Sequence, residues 1–566
     1  MKKYRLNIKS IAVHASCLAL LTLSSCNFLD FDESSGKTKE EAYGYFANVK
    51  SLANAAYRSI PSDWGVIGNA LRESASDNAV YTWNSCAVYD IYNDAWSPKN
   101  LIDNQWSTYY SVIRDINSFL ENYSDEALIR HKWDANYEDN MKQVQMSRRE
   151  VVVLRALYYF ELAKRYGDVP LLTKPCTLDE VNSLKKTPVA EIFKFIADEC
   201  ESVADELPLS HNDFYGETGR VTKGTALAVR ARALLYAASP LFIGGAEQEA
   251  AWKKAAEAAN DVIAMNYYSL PNISKDPLYS KDGGNVILTS PQLIFGPRAS
   301  ENITFETQNL PIGFANGTNS GNTPTQNLVD AFEMKDGSAF DWNDPTKVAN
   351  MYYDENGKET RDPRLYKNVI CNGMTYMNTL VNTFEGSRFG APIEGATMTG
   401  YYLKKGLNET VSLDPTNTIK KPHHYPTFRY AEMLLDYAEA MNEWQGPDYK
   451  DNNFSLTACE ALNQVRQAAN MPTVSINSKD EFRTKVRNER RVELAFEDHR
   501  FWDIRRWKIG DVVKEIYGVK IQKQGDSYKY TKQVVQTRIW NDKMYLYPIP
   551  QTEVYLNENL TQNPGW

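Results

Sequence analysis

Apolar residues recur at three- and four-residue steps through most of the first half of the chain. Over residues 41–58, Tyr45, Phe46, Val49, Leu52, Ala53 and Ala56 fall on one helix face, and over 106–119 Trp106, Tyr109, Tyr110, Ile113 and Ile116 do the same. Over 142–166, Leu154, Leu157, Phe160 and Leu162 mark a long helix, with Gly167 as a left-handed cap and Pro170 beyond it. Ile192, Phe193, Ile196, Cys200, Val203 and Leu207 form its partner, closed by Pro208. The pattern predicts a third pair over 222–236 and 250–265, and a fourth over 429–443 and 457–469.

These pairs resemble one another. RALYYF at 155–160 matches RALLYA at 232–237, and EAANDV at 257–262 matches EALNQV at 460–465. Small alanines let helices approach while Leu, Tyr and Trp252 fill the gaps, which is how tetratricopeptide-like pairs stack. No regular spacing of about 34 residues is present, so the array is degenerate and interrupted by insertions. Between Pro271 and Pro426 helical periodicity gives way to Gly, Asn, Thr and Pro, with short β-prone runs at 286–288 and 292–295. This reads as a loop-rich insertion on a helical frame, the kind of place where binding residues are held.

The N-terminus has a different pattern. Lys2, Lys3, Arg5 and Lys9 precede an apolar run from Ile11 to Leu23, then Ser24, Ser25 and Cys26. That order matches a bacterial lipoprotein signal cut before Cys26, whose thiol then carries lipid. A membrane-spanning helix would need roughly 20 apolar residues, more than this run supplies. Asn27 and the acidic Asp30, Asp32 and Glu33 favour the outer membrane and its outer face. The chain thus divides into a signal peptide (1–25), an N-terminal helical region (26–270), the insertion (271–426) and a C-terminal helical region (427–566) packed on the same body.

Loss of the signal's four positive charges takes the formal charge from −9 to −13, which disfavours nucleic acid as a partner. Of seven cysteines, five remain beyond Cys17 and Cys26, widely spaced and odd in number, so neither a disulfide framework nor a C-x-x-C metal site is expected. No hydrolase, P-loop, dinucleotide or zinc-protease motif occurs. His423 and His424, neighbours in an extended segment, point to opposite faces. Glu489, Glu493 and Glu497 share a stretch with Arg487, Arg490, Arg491 and Arg500 at three- and four-residue spacing, which favours structural ion pairs over a glycosidase pair. Asp341–Asp344 and Asp354–Gly357 read as turns; a structural calcium is the one metal they suggest. The positive signal is aromatic: Tyr81, Trp83, Tyr89, Tyr92 and Trp96 lie in a non-helical, Asn/Ser/Asp-rich segment. A flat ring covers the C–H face of a sugar while neighbouring polar groups bond its hydroxyl rim.

Five blocks carry a family resemblance: CNFLD at 26–30, RALYYFELAKRYGDVPL at 155–171, RDPRL at 361–365, VRNERRVELAFEDHRFWDIRRW at 486–507 and YPIPQTEVYLNENLTQNPGW at 547–566. The chain resembles the SusD/RagB family of outer-membrane lipoproteins of Bacteroidetes. The resemblance implies a mostly α fold, with four tetratricopeptide-like pairs in a right-handed superhelical scaffold and a loop-rich insertion with short strands. It also implies a SusC-like TonB-dependent transporter as partner, a hinged-lid role over that barrel, no catalysis and no cofactor. Glycan-binding members use aromatics after the first helix and in the insertion, which points to Trp83 and Tyr81, then Trp64, Tyr89, Trp96 and Phe314. The insertion contains one tryptophan, Trp342. That departure keeps a peptide-binding, RagB-like lid open beside the glycan reading; a surface glycoside hydrolase is the alternative from another class.

Overall fold

The predicted helices form, with shifted ends, in a computed structural model that describes residues 38–61, 64–211, 218–283, 287–315 and 317–566. Cys26 and its flanking acidic residues lie outside the described residues. The stretch 41–58 is broken: one turn, Lys39–Tyr43, stops at Gly44, then helix α1 (Phe46–Ala55) runs on into a 3₁₀ turn over Ala56–Ser59. The Arg130 guanidinium packs on Gly44 so closely that a Cβ there would lie 1.7 Å from Nη2. Periodicity cannot register that tertiary contact.

Strand β1 (Ala79–Tyr81) precedes helices α2 (Trp106–Asn122), α3 (Tyr137–Tyr166), α4 (Val189–Ala204), α5 (Lys223–Ala238) and α6 (Glu247–Ala264). From α2 onward each helix packs on the next, and α1 packs on α3 as well. Buried Ala226, Ala228, Ala231 and Ala233 on α5 and Ala255, Ala256, Ala258 and Ala259 on α6 permit close approach. Gly167 ends α3 with φ of 69° but ψ of −119°, so it is not the left-handed helical cap expected. The Leu546 side chain, 3.0 Å from where a Cβ would stand, adds a steric reason for glycine.

Past residue 271 come strands β2 (Leu293–Phe295), β3 (Asn322–Pro324) and β4 (Phe428–Arg429), then helices α7 (Tyr430–Trp444), α8 (Ala458–Ala468), α9 (Lys479–Glu493) and α10 (Arg500–Arg506). Ile287–Thr289 is a 3₁₀ turn, so the β-prone run at 286–288 forms no strand in its described part. Helix α7 packs on α6, α8 and α9, which joins the two helical regions across the insertion in sequence. Two antiparallel ladders stitch the insertion to that frame: Phe428 opposite Phe295, and Ala79, Val80 and Tyr81 opposite Pro324, Thr323 and Asn322. The insertion has its own apolar core, around Leu328, Leu365, Tyr401 and Tyr402, closed by Val492, Phe496, Val519 and Ile521 from the C-terminal region.

The longest strands were not expected. Within 427–566, β5 (Glu515–Gln524) and β6 (Ser527–Thr537) form a hairpin whose two-residue loop is Gly525-Asp526, with Gly525 at φ of 63°. Ile516, Val519 and Ile521 are buried, against an outward-facing β6. Gly-Asp between β-branched runs is a hairpin signal that the helical text around it masked.

Helix α3 is buried on every side from Glu150 to Tyr166, and α7 from Tyr430 to Asn442. Their charged residues must therefore find partners inside. Arg155 bonds Glu199, Glu161 holds Lys164 and Arg165, and Arg232 meets Glu432 at 2.6 Å. On α7, Asp436 takes Arg490 and Glu439 takes Arg506. The acidic cluster pairs as expected, but with other segments and not along its own helix. Glu489 binds Arg466 and Arg364; Glu493 binds Arg364 at 2.9 Å and Arg429 at 2.7 Å; Glu497 binds Arg429 at 2.6 Å and Lys405. Arg364 and Lys405 come from the insertion, so this lattice fastens it to the frame. Burial alone would raise the Glu493 carboxyl; Arg429 and Arg364 outweigh it and hold it at about 2.

Removing Arg429 takes one of two cationic partners from each of two buried carboxylates, leaving Glu493 to Arg364 and Glu497 to Lys405. Arg429→Met should lower stability by about 3–5 kcal/mol, read as a lower guanidinium midpoint. Glu73 is the opposite case. Burial pushes it up to about 7 against the pull of Asn78 and the Phe496 N–H, from an ordinary 4.5. With a raised folded-state pKa, its contribution is full below 4.5 and is lost as pH rises through 7. Glu73→Gln should therefore match wild type near pH 4 and gain on the order of 2–3 kcal/mol over it by pH 8.5, measured by denaturation across pH.

Candidate ligand-binding surface

The β1–β3 ladder positions the aromatic segment. Asn322, fully enclosed, accepts from the Leu71 N–H at 2.9 Å and the Ser74 hydroxyl at 2.8 Å, and donates to Asn309 at 2.8 Å. Beyond Tyr81 the pairing continues: Thr82 N–H donates to the Gly321 carbonyl and its hydroxyl to the Ser320 carbonyl, both at 2.8 Å. Trp83 follows, its indole Nε1 donating to the Asn319 carbonyl at 2.5 Å. The far edge of that indole rests on Gly395, where a Cβ would lie 2.7 Å from the ring and φ is +78°. Trp83 is half-buried, with Asn84 and Ser85 exposed beside it.

The loop at 311–320 forms the next part of this surface. Ser320 donates its N–H to the Leu310 carbonyl and accepts from the Ile312 N–H at 2.6 Å, while the Thr318 hydroxyl donates to the Pro311 carbonyl. Phe314, half-buried on this loop, lies 6.1 Å from the Tyr376 ring and 6.2 Å from Phe389. Arg388 is exposed, stacked 4.9 Å from the Phe389 centroid, and donates to the Gly313 carbonyl at 2.6 Å. Ile393 is 45 % exposed, and Glu394 next to it is exposed too. Half-exposed rings, an aliphatic side chain, amides, a guanidinium and a carboxylate thus share one open rim. A cleft of about 530 Å³ lies elsewhere, lined by Tyr110, Arg114, Leu178 and Glu553.

The six aromatics singled out from the sequence separate by burial. Trp83, Tyr89 and Phe314 are half-buried; Trp64, Tyr81 and Trp96 are 5 %, 2 % and 3 % exposed, so they are packed in the core. Trp64 packs edge-on to Tyr425, and Trp96 is wedged between Tyr547 and Trp566 at 4.8 and 5.0 Å. Tyr81 receives the Tyr89 hydroxyl on its carbonyl at 2.6 Å, and burial pushes both phenols up to about 12. Tyr89 therefore steadies the segment while exposing one side. Arg388, Ile393 and Asn319 were not anticipated; their one trace in the text is the alternation of single polar or aliphatic residues with Gly in a loop.

The other candidates are structural. His423 Nε2 lies 2.7 Å from Glu306 in the insertion core, and His424 accepts the Ala299 N–H. Asp344 caps a short helix at Pro345–Ala349, and Asp354 accepts the Asn356 and Lys358 N–H groups of a turn. Among the described residues no three His, Cys, Asp or Glu side chains converge to hold a metal ion, and Cys86, Cys176, Cys200, Cys371 and Cys459 are free thiols. No described helix is long and apolar enough to cross a membrane.

Comparison with known proteins agrees with this architecture. A family model described as the SusD family matches residues 296–566, and one described as starch-binding associating with outer membrane matches 27–235. SusD-like protein P38 of Formosa agariphila is 25 % identical over 564 residues, covering 92 % of this chain and 95 % of its own. A SusD-like protein from Bacteroides fragilis superposes with a TM-score of 0.76 at 25 % identity, covering 94 % of this chain and 99 % of that one. A SusD-like carbohydrate binding protein from the same species gives 0.71 at 26 %, covering 92 % and 99 %. On the matched blocks from both ends and the shared helical scaffold with its insertion, this chain belongs to the SusD/RagB family.

Proposed function

We propose that this protein is a non-catalytic, cell-surface glycan-binding lipoprotein, acylated at Cys26 and seated on the outer membrane. It serves there as the lid of a SusC-like TonB-dependent transporter in nutrient uptake. The observation that carries the reading is Trp83: a half-exposed indole whose N–H is already satisfied by Asn319, so its free surface is available for stacking. Phe314 and Ile393 extend the apolar area, and Arg388, Asn84 and Asn319 stand beside it for hydroxyl groups. An open rim suits a polymer that extends past its contacts. The carbohydrate binding stated for the Bacteroides fragilis relative supports the same assignment. Ligand drives lid closure only to the extent that it contacts the closed state better than the open one.

A peptide ligand is the second reading. Trp342, the insertion's one tryptophan, is half-buried and bonds Asp330 at 3.1 Å, so it adds no free platform for a long polysaccharide.

Affinity electrophoresis of residues 27–566 in polysaccharide gels tests the glycan reading. Retardation is expected, and Trp83→Ala should weaken it at least tenfold, about 1.4 kcal/mol or more, with circular dichroism showing that the variant is still folded. Unchanged mobility of the variant would remove Trp83 from the site. Release of reducing ends by the wild type would replace binding with hydrolysis. Trp96→Ala should instead lose about 3–5 kcal/mol of stability, seen as an earlier melt, because that ring fills the core.

A further inference from the structure

Trp133 stands out among the twelve tryptophans: it is 86 % exposed, and the others are buried or half-buried. It caps the turn between the 3₁₀ helix Asp125–His131 and α3. Ile129 and Tyr45, each 48 % exposed, accompany it. This tip is fixed to the start of the described chain. His131 Nε2 lies 2.9 Å from the Gly44 carbonyl, with its ring 5.4 Å from Tyr45 and 5.5 Å from Phe46. Arg130 stacks over Tyr45 at 5.3 Å and pairs with Glu40 at 3.6 Å. Lys132 lies 5.0 Å from the Trp133 ring centroid.

An exposed tryptophan, tyrosine and isoleucine beside cations form the composition that water–lipid boundaries select, since an amphipathic ring sits at headgroup level with its body toward the acyl chains. Arg130, Lys132 and Lys39 are balanced by Glu40, Glu41 and Asp134, so the attraction is interfacial and not a matter of net charge. Position completes the case. Thr38, three residues before Glu41, is twelve residues past Cys26, and twelve residues span at most roughly 40 Å when fully extended. An acyl group on Cys26 therefore keeps this end of the molecule near the bilayer.

We propose that the face formed by Tyr45, Ile129 and Trp133 is a membrane-contact face that seats in the headgroup region of the bilayer holding the acylated Cys26. It sets which side of the tethered body faces the bilayer. This rests on the lipid-anchor reading above.

The test uses the full acylated protein, purified from membranes of the expressing cell and placed in phosphatidylethanolamine–phosphatidylglycerol vesicles doped with brominated phosphatidylcholine. Flotation reads the anchor; bromine quenching of tryptophan emission reads the face. Wild type should lose about one twelfth of its emission or more, and Trp133→Phe should lose none while floating equally. Floating protein with equal quenching in both forms, or none in either, overturns the membrane face and leaves the anchor standing. Failure to float refutes the anchor and this face with it. A change in Trp133 emission on deleting residues 27–37 without lipid would assign the face to the tether. Loss of polysaccharide retardation in Trp133→Ala would assign it to glycan. Either result overturns the proposal.

Discussion

Charge buried on all-enclosed helices is the constraint on which the rest of this structure depends. Helices α3 and α7 have no solvent side over most of their length, yet they carry arginine, lysine, glutamate and aspartate. Each of those charges would cost several kcal/mol unpaired, so the chain must bring partners from distant segments. Arg429, at the start of α7, answers Glu493 and Glu497; Glu493 answers Arg364 from the insertion. A buried lattice of this kind adds little net stability over apolar packing. Its effect is to make wrong packings expensive, because any shift leaves an ion without its partner.

That specificity reaches the surface through the insertion. Two short ladders and the Arg364 and Lys405 ion pairs hold a segment poor in regular structure against the helical frame. Arg361 illustrates how loops survive burial: it pairs with no carboxylate among the described residues but donates to the carbonyls of Val329 and Phe332 at 2.6 and 2.5 Å and stacks 4.3 Å from the Phe340 centroid. Backbone groups that no strand or helix would satisfy are thus satisfied by one side chain. The same economy fixes Trp83, whose indole replaces a strand partner for Asn319. A rim of loops can then hold its rings in place through side chain–backbone hydrogen bonds.

Much of the fold was legible in the chain because helical packing repeats at a fixed period. Helices α2 to α8 lie where periodic apolar residues placed them, and the ion-pairing character of Glu489, Glu493 and Glu497 was readable from the arginines around them. Their actual partners were not, since Arg364, Lys405, Arg429 and Arg466 approach from other elements. The broken first helix and the β5–β6 hairpin escaped for a related reason. Arg130 packing on Gly44 is a long-range contact, and the hairpin's local turn signal was outweighed by helical text on either side.

The sequence by itself determined the helical class, the loop-rich insertion, the family and the aromatic segment, since periodicity, composition and contiguous motifs are all properties of neighbours along the chain. Only the tertiary structure decided which rings face outward. Trp96 and Trp83 read alike in the text, thirteen residues apart in one polar, aromatic stretch. One is closed in by Tyr547 and Trp566 from the far end of the chain, and the other is left half open by a glycine from the insertion. Exposure is set by what returns to cover a side chain, and that information lies hundreds of residues away.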